Sequence, residues 1–402
     1  MSELSRRWPQ LDVTLAAGGL FLFSFALVHR WFWAHGQLVD WPVYKTYGDA
    51  IVHHGRVPYR DFHVEYPPLA LVVFVIPSLF GDYRTVFEVL MAACGVGLVA
   101  VVATIRPAAA YYVGVCPLLV GSLILTRFDL WPALLTTGAL AALLGGRHRL
   151  GWGLLGAAVA AKLWPVLLVP LALGWAFVHG RLRASLVGLA TFAVAIVPFA
   201  LLAPHGLFES IRGQGDRPLQ IESLAASLLT TFAHPFVITS HGSQNLAGHG
   251  LLAAAFSAAQ ALAIVALWVA FLRGPIDRER LLRYSAACVC AFVALGKVLS
   301  PQFLLWLVPL VPLVRGRRGI AATILLSTAL VLTQIWFPWR YWGYAEHFHL
   351  SGVVLARNLA LVALLVVLAW PEPPSLSGDG GVGSTEPPRS GGAGFAGAGA
   401  GT

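Results

Sequence analysis

Lysine is nearly missing from this sequence: only Lys45, Lys162 and Lys297 occur in 402 residues, against two dozen arginines. Charge of either sign is scarce, with 11% of positions charged, 58% hydrophobic and a mean hydropathy of +0.75. A soluble domain carries about 25% charged residues. The deficit therefore excludes an ordinary water-soluble fold and places the chain in a bilayer. The net charge of +9 does not make a nucleic-acid-binding face, because no polar segment is long enough to display one. A phosphate-cradling glycine loop, a zinc-type spacing and a recognisable Ser-His-Asp arrangement are also lacking, which argues against a cytosolic nucleotide-binding domain. The four cysteines (Cys94, Cys116, Cys288 and Cys290) fall in apolar stretches, as expected of small packing residues.

The arginines that are present gather in short runs at 6–7, 180–183, 273–283 and 315–318, the pattern of cytoplasmic loops in a multi-pass protein. A spanning helix needs about 20 apolar residues. The candidate spans are 11–31, 67–81, 85–105, 108–126, 129–145, 151–178, 186–203, 251–272, 284–299, 302–314, 319–337 and 352–370. This gives an all-α polytopic membrane protein of about twelve helices with both termini cytoplasmic. The start "MSELSRRWPQ" precedes no small-residue cleavage site, so the first span is expected to remain as an anchor after a cytoplasmic segment 1–10. Two long outer loops follow at 33–66 and 204–250, with a shorter aromatic one at 337–352. The Gly/Pro/Ser-rich tail 371–402 is expected to be disordered and cytoplasmic. In this layout "RHR" at 147–149 lands outside. An alternative breaks 151–178 at "KLWP" into a hairpin and lets 67–81 re-enter the membrane.

Charge inside a membrane costs roughly 2.5–3.5 kcal/mol per residue on insertion scales and so marks function by default. Lys162 interrupts "AAKLWPVL" and Lys297 ends "ALGKVLSPQFLLW"; either could instead snorkel to an interface. Arg127 and Asp129 interrupt "LTRFDLWPALL", where their plainest reading is a mutual ion pair at a helix break. Acids crowd the first outer loop: Asp40, Asp49, Asp61 and Glu65. "DWPVYKTYGDAIVHHG" reads as an amphipathic surface helix, with Val43, Tyr47, Ala50, Ile51 and His54 on one side and a Lys45–Asp49 pair elsewhere. Pro67 and Pro68 open the next helix, holding Asp61 and Glu65 at the membrane rim beside Arg60. A carboxylate there can act as general base toward a hydroxyl, and cations deeper in the membrane can neutralise a departing phosphate.

"VDWPVYKTYGDAIVHHGRVPYRDFHVEYPPLAL" resembles the first-loop signature of glycosyltransferase family 87, membrane enzymes of the GT-C superfamily. "TRFDLWPALL", "AAKLWPVLLVPL", "QIESLAAS" and "VLSPQFLLWLVPL" resemble later family blocks in the same order. The resemblance implies a GT-C-like arrangement and an inverting, metal-independent transferase without a cofactor. Its donor would be a polyprenyl-phosphate sugar, usually mannose, and its acceptor a glycan or glycolipid on the outer face of the membrane. It implies Asp40 as the base, with Asp61 and Glu65 in catalysis, acceptor binding or loop architecture. Tyr44, Arg60, Arg127, Asp129, Lys162, Gln220, Glu222, Lys297, Ser300 and Gln302 are the expected donor- and substrate-binding residues, with Arg217 beside them in a loop that covers the cavity. The preference for Arg over Lys and for Ala, Gly, Leu and Val points to a GC-rich bacterial genome and a plasma-membrane location. A lipid-glycan flippase or transporter would share the helices and buried cations without needing a base. A scaffold subunit would need neither.

Overall fold

In a computed structural model, residues 3–32 and 40–371 are described. The tail 372–402 and residues 33–39 of the first outer loop, on which expectations above fall, lie outside the described residues.

Helix α1 (Glu3–Phe32) leads to α2 (Trp41–Val52), which packs on α3 (Leu71–Ser78). The buried face of α2 is Tyr44, Tyr47, Gly48 and Ala50. The expected face was rotated, since Val43 is 46% exposed and His54 is exposed. Gly48 sets this contact: a Cβ there would collide with the Phe74 carbonyl and Ser78. Lys45 and Asp49 form the expected i,i+4 pair. The apolar stretch Pro68–Ser78 reaches only about 16 Å at 1.5 Å per residue, against a hydrocarbon core of about 30 Å. It does not cross.

From here the chain makes three short excursions from one end of the molecule. Helix α4 (Tyr83–Ile105) runs to that end, where Arg106 at its C-terminus donates to the carbonyls of Pro312 and Val314. Helices α5 (Pro107–Val120), α6 (Leu123–Thr126) and α7 (Leu130–Leu144) form the first hairpin, with Arg127 and Asp129 at its tip. The second rises through α8 (His148–Ala161), breaks at Lys162, and returns through α9 (Val169–Val178). Lys162 itself is extended, with φ −159° and ψ 142°, and the following Trp164-Pro165 opens a 3₁₀ turn because proline has no N–H to continue the ladder.

Helix α10 (Ser185–Leu202) then crosses to α11 (Pro204–Gly215) and α12 (Leu224–Phe232), and α13 (Gly250–Arg273) comes back. A small antiparallel sheet lies between them: β1 (Leu219–Gln220), β3 (Ser243–Leu246) and β2 (Val237–Ser240), in that spatial order. The third hairpin rises through α14 (Arg278–Leu295), turns at Lys297–Ser300 and descends through 3₁₀ turns to residue 313. Helices α15 (Gly316–Trp336), α16 (Tyr341–His347) and α17 (Ser351–Ala369) complete the fold.

Among the described residues six helices are long and apolar enough to cross a membrane, in α1, α4, α10, α13, α15 and α17. These six do not confirm the count of twelve crossings. Of the expected spans, 151–178 is a hairpin, and 67–81 is too short. The correction also moves "RHR". Gly146, His148 and Arg149 line one cavity with residues 180–184, so this loop joins the arginine-rich end. Arg278 donates to the Ile105 carbonyl there, and Arg315 pairs with Glu279 at 3.2 Å. Every arginine run lying within the described loops thus shares one end. At the other end the outer loops meet: Gln214 donates to the Glu65 carbonyl, and the Tyr344 hydroxyl donates to that of Ile221. The cysteines are buried and free, as packing residues.

Candidate active site

The three hairpin tips converge on one carboxylate. Asp129, at the N-terminus of α7, is 1% exposed. Its Oδ1 accepts from Lys162 Nζ at 2.6 Å and from Trp306 Nε1 at 2.6 Å, while Oδ2 has no hydrogen-bond partner. These residues come from the first, second and third hairpins respectively. The ammonium of Lys162 also lies among aromatic faces: 4.6 Å from the Phe128 centroid, 5.2 Å from Trp306, 5.9 Å from Tyr66 and 6.0 Å from Phe303. Ring faces carry negative potential and attract a cation where water is absent. Trp164 stacks on Trp306 at 5.1 Å, fixing the second hairpin against the third.

Arg127, 5% exposed, does not pair with Asp129 as its sequence neighbourhood suggests. Its guanidinium forms an ion pair with Asp40, at the N-terminus of α2. The Asp40 side chain remains one-third exposed, and the Tyr44 hydroxyl stands 3.5 Å from its Oδ2. Tyr44 is buried edge-on against Tyr66 and Phe128 and stacked on Phe74. An aromatic wall therefore runs from the Asp40–Arg127 pair to the Lys162 ammonium. A charge pair facing partly to water sits on one side, and an enclosed pair on the other.

The second outer loop closes over this assembly. The backbone N–H of Gln220 donates to the Lys297 carbonyl at 3.0 Å, and its side chain donates to Ser300 Oγ at 3.2 Å. Lys297 Nζ donates to the Gly215 carbonyl at 2.6 Å, so this lysine ties the hairpin tip to the loop. Gln302 is half-buried in the 3₁₀ turn that follows. Arg217 donates to Ser243 at 3.0 Å and lies within electrostatic reach of both Glu65 and Glu222. Glu65 is half-buried, below the Gly242 turn of the β2–β3 hairpin. Glu222 is 2% exposed, and burial pushes its carboxyl up to about 7.

Asp61 and Arg60 stand apart. They pair with each other at 2.8 Å on the surface, and Asp61 Oδ2 accepts from the Val57 N–H at 2.7 Å. The Arg60 guanidinium and that N–H hold the Asp61 carboxyl at about 2. Its position is that of a loop brace.

Trp306 and Arg357 are absent from the sequence-derived set. Arg357 is fully buried in α17, donates to the Glu222 carbonyl at 2.9 Å and lies 5.6 Å from the Trp336 ring. Its signal was in plain view: one arginine within the apolar run "SGVVLARNLALVALL".

The model for glycosyltransferase family 87 matches residues 62–301, more than half of the chain. The chain belongs to glycosyltransferase family 87. The family match contains Arg127, Asp129, Lys162, Gln220, Glu222 and Lys297, and begins after Asp40 and Tyr44. This family 87 member is also similar in structure to ArnT from Cupriavidus metallidurans bound to undecaprenyl phosphate. That similarity has 15% identity and a TM-score of 0.48, covering 92% of this chain and 77% of that one. No curated protein matches the sequence. Family membership makes the chain a glycosyltransferase, and its helices make it a multi-pass membrane protein.

Proposed function

We propose that the protein transfers a hexose, mannose in the first instance, from a polyprenyl-phosphate donor to a hydroxyl of a glycan or glycolipid on the outer face of the plasma membrane. Asp40 is the general base. It is the carboxylate at the edge of the aromatic wall that pairs with Arg127 and stays one-third exposed to solvent. An acceptor hydroxyl delivered from the water side meets Asp40 first. Displacement at the sugar carbon from that side expels the lipid phosphate toward the membrane, inverting the configuration. Arg127 and Lys162 then face the departing phosphate, whose growing charge they neutralise in a site of low dielectric. Asp129 and the aromatic faces hold the Lys162 ammonium in place. Gln220, Ser300, Lys297 and Arg217 make the outer wall, and Glu65 and Glu222 set the charge around Arg217.

The observation that carries this reading is the meeting of two charge pairs, Asp40–Arg127 and Asp129–Lys162, on either side of one aromatic wall. The test is transfer from labelled polyprenyl-phosphomannose in membranes. Asp40→Asn should abolish transfer while leaving the protein folded, and wild-type activity in that variant would remove Asp40 as the base. Movement of the labelled lipid across the bilayer with no change in any glycan would instead favour a flippase.

A further inference from the structure

The arginine-rich end holds a cavity of about 770 Å³ between the α7–α8 turn and the chain leaving α9. Four basic side chains line it, His148, Arg149, Arg181 and Arg183, together with Phe177 and Leu182, and no carboxylate does. The apolar pair is exposed, 71% and 44% respectively. The cavity is remote from the active site. Helix α8 begins at His148 and ends beside Lys162, a separation of about 20 Å at 1.5 Å per residue.

Four other arginines of this end have partners: Arg106, Arg278 and Arg280 donate to backbone carbonyls, and Arg315 pairs with Glu279. Among the described residues, Arg149, Arg181 and Arg183 make no ion pair or side-chain hydrogen bond. Three unpaired guanidiniums around one concavity set up a field for a multivalent oxyanion, and guanidinium matches phosphate oxygens in pairs. A free phosphate would leave Phe177 and Leu182 in water. A phosphodiester carrying acyl chains satisfies both halves of the lining, its headgroup among the arginines and its chains along the apolar rim. At the end of α7, α8, α9 and α10 such a lipid needs only to move sideways from the leaflet to enter.

We propose that this cavity is a binding site for an anionic glycerophospholipid headgroup of the leaflet at the arginine-rich end, separate from the transferase site. The measurement is native mass spectrometry of the full chain in neutral detergent. Phosphatidylglycerol, phosphatidylcholine and inorganic phosphate are titrated separately. The expected result is a phosphatidylglycerol adduct that survives at collision energies stripping phosphatidylcholine. It should be lost in the double variant Arg149→Gln/Arg181→Gln and retained in Arg273→Gln/Arg317→Gln, which removes the same charge from exposed positions at the same end. Arg183→Gln alone should weaken the adduct, which keeps the test decisive if the double variant folds poorly. Equal retention of the two lipids, or an undiminished adduct in the cavity variants, overturns the proposal. Inorganic phosphate that binds alone and displaces the lipid overturns the assignment to a lipid.

Discussion

Lys162 and Asp129 belong to different hairpins and meet tip to tip, Nζ to Oδ1, at 2.6 Å. Among the described residues, neither has another side-chain ion pair within 4 Å. Each is therefore the other's compensation for being out of water, and the pair joins two pieces of backbone that both break their helices at that level. A buried charge left without its partner is strongly destabilising, whereas replacing both partners by uncharged groups often is not.

Asp129→Leu should accordingly lower stability by about 3–5 kcal/mol by stranding the ammonium. The double variant Asp129→Leu/Lys162→Met should recover much of that loss. Thermal unfolding in detergent reads the cycle. Transfer activity should stay absent in the recovered double variant, because the charge near the leaving phosphate is gone; activity regained with stability would reduce the pair to scaffolding.

Asp61→Asn should transfer sugar at close to the wild-type rate. Its carboxylate is spent on Arg60 and the Val57 N–H at the surface, and exposed pairs of this kind contribute little. A rate as low as that of Asp40→Asn, measured in the same membranes, would place Asp61 in the chemistry instead.

Gly156→Ala should destabilise the protein by about 1–3 kcal/mol, the usual cost of overpacking. Helices α8 and α10 touch there backbone to backbone, since a Cβ on Gly156 would run into the Gly188 carbonyl. Fluorescence-detected size exclusion after heating should show a lower midpoint. Gly146→Ala, where a Cβ meets nothing but the backbone has φ +74°, offers a contrast between strain and collision.

Stability should also respond to pH through Glu222. Its carboxyl titrates near 7 in the folded protein against an ordinary 4.5. Between these values the folded state binds the extra proton, so Glu222 contributes stability that declines as pH rises from about 4.5 to about 7 and is flat above. Glu222→Gln should remove that slope. Unfolding midpoints at pH 5, 6, 7 and 8 test it, and an unchanged slope in the variant would assign the dependence to other groups.

Much of this was readable from residue cost. Lys162 and Asp129 were conspicuous because polar groups in apolar sequence are expensive, and the two meet where the three hairpin tips converge. Their partners were not readable. Arg127 and Asp129 are two positions apart, yet each forms its ion pair with a distant residue, Asp40 or Lys162. Hydropathy also cannot distinguish a crossing from a pair of arms. The run 151–178 has the composition of one long span, and only Lys162-Leu163-Trp164-Pro165 betrays the reversal. Arg357 escaped because, Arg127 apart, the search for charge within apolar segments stopped at the lysines, although the same argument holds for an arginine in "SGVVLARNLALVALL".

The stunted arms have a consequence for how deep the chemistry lies. Arms α7 and α8, of 15 and 14 residues, rise only about 22 Å from the arginine-rich interface, leaving roughly 8 Å of a 30 Å hydrocarbon slab above their tips. Under the function proposed above, a phospho-sugar anchored in the opposite leaflet would have only that shallow layer to descend before meeting Lys162, while its long tail stays among acyl chains. On that proposal the protein brings its floor up to the substrate, sparing a hydrated headgroup the passage through the middle of the bilayer.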